Sequence, residues 1–146
     1  GGYASVQSVV REPTKYRCAI GYVGLYDMSL WMRDSDVSEE EFGRNYQRRV
    51  FPESQAGRDE QSPARNVDRI QVPLMLVHGA KDERVPISQY NELMSSLKAA
   101  GKAPEVTIVE AKEGHGFYDY DNQVELYTAM EAFLAKHLGS TRSDAP

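Results

Sequence analysis

One cysteine stands in 146 residues, so no disulfide can form within the chain. Cys18 lies in the apolar run Cys18-Ala19-Ile20-Gly21-Tyr22 and reads as a small buried hydrophobe. Three histidines are present, and neither they nor Cys18 show the spacing of zinc ligands. No metal and no cofactor is expected. No apolar run approaches the length that spans a bilayer, so no membrane partner is expected either. No charged-then-apolar leader opens the chain, but Gly1 reads as an internal residue, so that absence decides nothing. Basic residues are sparse and scattered. Lys and Arg number 17 against 22 Asp and Glu, a net charge of −5, and Arg48-Arg49 is their one adjacent pair. That distribution argues against a nucleic-acid partner. Repeats and low-complexity tracts are missing as well.

What remains is an ordinary globular composition. The apolar share of 40% suffices for a core, and the 146 residues make one domain or a large part of one. Tyr3, Val6, Val9 and Val10 recur at helical spacing over residues 2–11, and Pro13 ends that pattern. Residues 16–23 and 72–77 are short apolar runs that predict buried strands, with Pro73 tolerable only near a strand's beginning. Residues 105–109 predict a third strand. Residues 24–36 and 52–61 read as loops. Ser38 and Glu41 form a capping-box pattern for a helix to about residue 49, and Ser62-Pro63 suits the start of a short helix.

Ile87, Tyr90, Leu93, Met94 and Leu97 make one apolar stripe over residues 86–100, which Gly101 should stop. The last helix should run from residue 121 or 122 to about 137, with Val124, Tyr127, Phe133, Leu134 and Leu138 inward. Residues 139–146 are small and polar and should fray. Strands alternating with helices imply an α/β fold with a parallel sheet flanked by helices on both faces.

In such a sheet, reactive groups gather beyond the carboxyl ends of the strands. Asp82 follows the second predicted strand by five residues, and His115 follows the third by six. Both therefore open on one edge. A histidine near neutrality takes a proton from a hydroxyl and returns it to a leaving group. A carboxylate on its other nitrogen fixes the tautomer and stabilises the imidazolium. An acid and then a histidine is the tail of the chain order serine, acid, histidine. Asp82 also suits a helix cap, and Gly114-His115-Gly116 a plain turn. Their order on consecutive strand ends favours the catalytic reading of Asp82 and His115. His78 ends a strand before a glycine and reads as a local hydrogen-bonder. His137, in the last helical turn, suits the helix dipole.

These residues resemble a known family. Gly1-Gly2-Tyr3 is similar to the end of the nucleophile elbow, Gly-x-Ser-x-Gly-Gly-Tyr, of the prolyl oligopeptidase family of serine peptidases. Pro73 to Gly79 with Asp82 and Val85-Pro86 resembles its acid motif, and Gly114-His115-Gly116-Phe117 its histidine motif. The resemblance covers nearly the whole chain and implies a partial α/β-hydrolase fold that lacks the N-terminal half of the sheet. Residues 1–138 would be the C-terminal portion of the peptidase domain. It also implies that the nucleophilic serine lies two residues before Gly1, and that Ser5, inside the first helix, is not the nucleophile. The oxyanion hole would lie outside this chain, and a β-propeller would precede the domain. Arg84 matches a position that holds a substrate carbonyl in some members. Tyr26 and Trp31 fall in a loop that builds part of the specificity wall.

The function this implies is hydrolysis of peptide substrates through an acyl-enzyme, with the 146-residue chain inactive alone. An esterase or dienelactone-type hydrolase carries similar acid and histidine motifs. A non-catalytic association module is the reading from another class. Half a parallel sheet leaves an unpaired edge and apolar surface, and should form a homo-oligomer or bind its missing half.

Overall fold

The computed structural model describes residues 1–139. Three short strands, β1 (Ala19–Tyr22), β2 (Leu74–Gly79) and β3 (Val106–Glu110), form a parallel sheet in the order β1-β2-β3. Ile20 lies opposite Met75, and Val77 opposite Ile108. All of β2 is buried, the pattern of a central parallel strand covered on both faces. Its alternating side chains divide the core. Leu74 and Leu76 join Val6, Val9 and Val10 of α1 (Gly2–Arg11) and Leu93 and Leu97 of α5 (Ile87–Ala99). Met75 and Val77 join Ile108 and, from α6 (Tyr120–Leu138), Leu126 and Phe133. The parallel sheet flanked by helices is thus the expected class, with α1 and α5 on one face and α6 on the other.

Two helices formed where loops were expected. α2 (Met28–Asp34) starts at Asp27, whose carboxylate accepts from Leu30 N at 2.9 Å. α4 (Gln55–Glu60) starts at Ser54, whose hydroxyl accepts from Gly57 N at 3.1 Å. Both caps are preferred residue types. The expected caps at Ser38 and Ser62 are not made. α3 (Glu41–Val50) begins after Glu40. The Ser38 hydroxyl instead donates to Met32 O at 2.7 Å and accepts from Gln47 Nε2 at 2.9 Å. The Ser62 hydroxyl accepts from Met28 N at 3.0 Å, and the helix after it is a single 3-10 turn, Pro63–Arg65. Partners on other helices outcompeted the local caps. Gly101, at φ +69°, closes α5 in the left-handed conformation as expected. The fraying expected of 139–146 falls, Gly139 apart, outside the described residues.

Helix α6 corrects a core assignment. Phe133 is buried, but Val124, Tyr127, Leu134 and Leu138 are exposed, Tyr127 by 64%. The helix carries two apolar stripes. Leu126, Met130 and Phe133 face the sheet. Tyr120, Val124, Tyr127, Leu134 and Leu138 recur at spacings of three, four and seven on a neighbouring face. Periodicity reveals a stripe without saying which one is covered. Phe133→Ala should destabilise the chain by about 3–5 kcal/mol in urea unfolding, while Val124→Ala should change stability by less than about 0.5 kcal/mol. Comparable losses at both positions would place the outer stripe in the core.

Candidate active site

The end of β2 is built to be crowded. A side-chain carbon on Gly79 would lie 2.2 Å from Gly114 O and 2.5 Å from Glu113 O, so the loop from β3 passes directly over it. Ala80 N donates to Glu110 O and Lys81 N to Glu113 O, each at 2.9 Å, which stitches the two strand ends together. Beyond this junction the chain turns back at Asp82. Its Oδ1 accepts from Val85 N, three residues on, at 2.8 Å, closing a turn that runs directly into Pro86 and α5.

The His115 loop is held from inside and from β1. The Glu113 carboxylate accepts from Tyr118 N at 3.0 Å and from Asp119 N and Asn122 Nδ2, each at 2.9 Å. Phe117 N donates to the Tyr22 hydroxyl at 2.7 Å, and their rings meet edge to face. Of the two glycines flanking His115, only Gly116, at φ +130°, occupies backbone that a side chain would strain. Asp119 then caps α6 through Asp121 N and Asn122 N.

Asp82 and His115 meet: His115 Nδ1 lies 2.8 Å from Asp82 Oδ2. The carboxylate side chain is fully buried and the imidazole is 47% exposed. A buried carboxylate accepts, so Nδ1 carries the proton and Nε2 remains for a reacting group. At the same edge, α1 begins against the end of β1. A carbon on Gly2 would lie 2.5 Å from Tyr22 O and 2.7 Å from Gly24 Cα. Val23 between them sits at φ +46°, uncommon for a β-branched residue, and its N–H donates to Val77 O at 2.9 Å.

The three expected binding residues part company. Arg84 is half-exposed, and its Nε lies 2.9 and 3.2 Å from the Asp36 oxygens. Its carbonyl accepts from Trp31 Nε1 at 2.8 Å. Trp31 and Arg84 line one cavity of about 620 Å³, with Asp36, Val37, Phe42 and Tyr46. Tyr26, by contrast, is 1% exposed and packs in the core beneath Gly21 and Gly24. Burial pushes its phenol above the ordinary tyrosine range. Its backbone matters more than its ring. Gln89 of α5 accepts from Tyr26 N and Asp27 N, each at 2.7 Å, and donates to Asp27 O at 2.9 Å. This clamp fixes the start of α2, and so Trp31. Gln89 and Glu113 were not singled out from sequence. The signal at Gln89 was a polar residue amid the apolar stripe of α5. His137 and Lys136 pair with Glu105 at the far end of the sheet. Among the described residues no cluster of three or more His, Cys, Asp or Glu could hold a metal, and no helix is long and apolar enough to cross a membrane.

Hydrogen bonds from the Asn122 side chain and then from Tyr118 N and Asp119 N hold the Glu113 carboxyl below its ordinary range. Its contribution to stability is therefore complete above that ordinary range and lost as pH falls through the depressed folded value. Urea midpoints should drop on acidification through this window, and Glu113→Gln should flatten that part of the profile. An unchanged profile in the variant would remove Glu113 as the loop's staple. Separately, Gly79→Ala should destabilise by about 1–3 kcal/mol, because backbone must move to admit the methyl. Urea unfolding of that variant reads it directly.

A model of the prolyl oligopeptidase family matches residues 1–141. Dipeptidyl aminopeptidase BIII of Pseudoxanthomonas mexicana is 27% identical over 95% of this chain and 21% of its own length. The acylamino-acid-releasing enzyme of Rattus norvegicus is 23% identical over 96% of this chain and 20% of its own length. The chain thus spans about a fifth of these curated relatives. A puromycin-hydrolyzing peptidase of Mycobacterium tuberculosis superposes with a TM-score of 0.82 at 24% identity, over 97% of this chain and 21% of that one. An acylaminoacyl peptidase of Pyrococcus horikoshii gives 0.77 at 20% identity, over 99% and 24%. On the family match, and with the fold in agreement, this chain belongs to the prolyl oligopeptidase family.

Proposed function

We propose that the longer protein containing this chain is a serine peptidase, with residues 1–138 forming the C-terminal portion of its α/β-hydrolase domain. The observation that carries the reading is the 2.8 Å contact between a fully buried Asp82 carboxylate and a half-exposed His115. In this reading a serine two residues before Gly1 attacks the peptide carbonyl. His115 Nε2 takes the serine proton and passes it to the leaving amine, releasing the first product. Water then cleaves the acyl-enzyme by the same route in reverse. Asp82 accepts from Nδ1–H throughout and stabilises the imidazolium. The packing of Gly2 against Tyr22 and Gly24 supports the serine's place, since it sets the start of α1 at the edge where His115 stands. The cavity beside Arg84 and Trp31 supports a substrate wall there. The remainder of the sheet, the oxyanion donors and a β-propeller belong to the rest of the protein.

The test compares the longer protein with the 146-residue chain on chromogenic peptide amides and short acyl esters. The longer protein should cleave peptides, and the chain alone should not. Asp82→Asn should lower kcat by about 10⁴-fold, and Arg84→Ala should raise KM. Cleavage of esters alone would favour an esterase-type hydrolase. Turnover by the 146-residue chain would overturn the placement of the nucleophile.

A further inference from the structure

We infer that His78 is a positioning residue for the Asp82–His115 pair, acting through Val85; this rests on the reading of that pair as acid and base. His78 lies in β2 and is fully buried. Its ring packs towards Tyr90 of α5, on the face where Leu74 and Leu76 make core. An apolar residue would be the ordinary choice there. A buried imidazole needs a hydrogen bond to be tolerated, and this one has a single partner. Nε2 lies 2.7 Å from Val85 O, so Nε2 carries the proton and donates. Nδ1 is buried and has no partner among the described residues. A second proton there would be an orphan donor. Burial also lowers the pKa of the ring, which keeps it neutral.

Val85 is thereby gripped on both of its backbone polar groups. Its carbonyl accepts from His78, and its N–H donates to Asp82 Oδ1 at 2.8 Å. With Oδ1 fixed, rotation of the carboxylate is restricted, and Oδ2 faces His115 Nδ1. His78 Nε2 lies 3.8 Å from that same Oδ2, too far for a hydrogen bond. The His78 proton therefore goes to the carbonyl, and Oδ2 is left to His115. Without His78, the carbonyl of a nearly buried Val85 loses its partner, and the turn that aims Asp82 loses its anchor to β2.

With three histidines, the chain is suited to two-bond ¹H–¹⁵N spectroscopy, which reads the tautomer of each ring after ¹⁵N-histidine labelling. In the unsubstituted chain His78 should be the Nε2–H tautomer and His115 the Nδ1–H tautomer. His78→Leu, close in volume but without a donor, should release His115 into a mixture of tautomers. His78→Gln, whose amide nitrogen falls near the Nε2 position, should restore Nδ1–H at His115. In the longer protein His78→Leu should lower kcat/KM by about 100-fold through misaim, with kcat taking most of the loss and His78→Gln recovering it. Three results each overturn the inference: His78 protonated on Nδ1, an unaltered His115 tautomer in folded His78→Leu, or a lost one in folded His78→Gln. If His78→Leu does not fold, the unsubstituted chain and the Gln variant still decide. A longer protein without hydrolytic activity would sink the peptidase reading and leave the tautomers to judge His78.

Discussion

The sheet edge that carries Asp82 and His115 depends on the absence of a side chain at Gly79. The backbone at Glu113 and Gly114 occupies the space that even a methyl group would need. That approach lets Ala80 and Lys81 bond to the end of β3 and brings two loops, separated by a whole helix and strand, into one structure. Asp82 and His115 meet because their strand ends are fused first. The side chains complete a geometry that the backbone has already set. Tyr22 extends the junction to β1 through Phe117 N, so all three strand ends are tied at one edge.

Burial of Asp82 follows from the same arrangement. A carboxylate withdrawn from water needs donors on its oxygens. Val85 N supplies one and His115 Nδ1 the other. Glu113 solves a similar problem on the neighbouring loop with two backbone amides and one side-chain amide. Two carboxylates, each assigned its own donors, keep the loops distinct: one aims at the imidazole, the other holds the loop that carries it.

The parts of this design that were legible in the sequence are those written in local pattern. Alternating apolar runs and helical stripes gave the parallel sheet and five of the helical segments. Strand ends followed by Asp82 and by Gly114-His115-Gly116 gave the pair. What escaped was settled by partners outside the local pattern. Ser38 and Ser62 read as caps, but the Ser38 hydroxyl bonds Met32 and Gln47 on the neighbouring helices and the Ser62 hydroxyl bonds Met28 across the fold. Tyr26 was placed at a substrate wall by the family resemblance of its loop, while two glycines open a slot that its ring fills. The outer stripe of α6 looked like core because two stripes on one helix have the same period. His78 read as a local hydrogen-bonder, and its ring does bond the Val85 carbonyl seven residues on.

The Asp36–Arg84 pair has a thermodynamic consequence. An arginine loses much rotamer freedom when it is immobilised by a ligand, and that loss subtracts from affinity. Here the guanidinium is already paired through Nε with both Asp36 oxygens, while its terminal nitrogens take no part in that pair. Part of the ordering penalty thus falls on folding. Under the proposed function, a substrate carbonyl reaching those nitrogens would meet a donor whose direction is set in advance, at a site where Trp31 is bonded to the carbonyl of the same arginine. Selectivity under that proposal would come from a fixed angle of approach, which a long flexible cation on open surface does not provide.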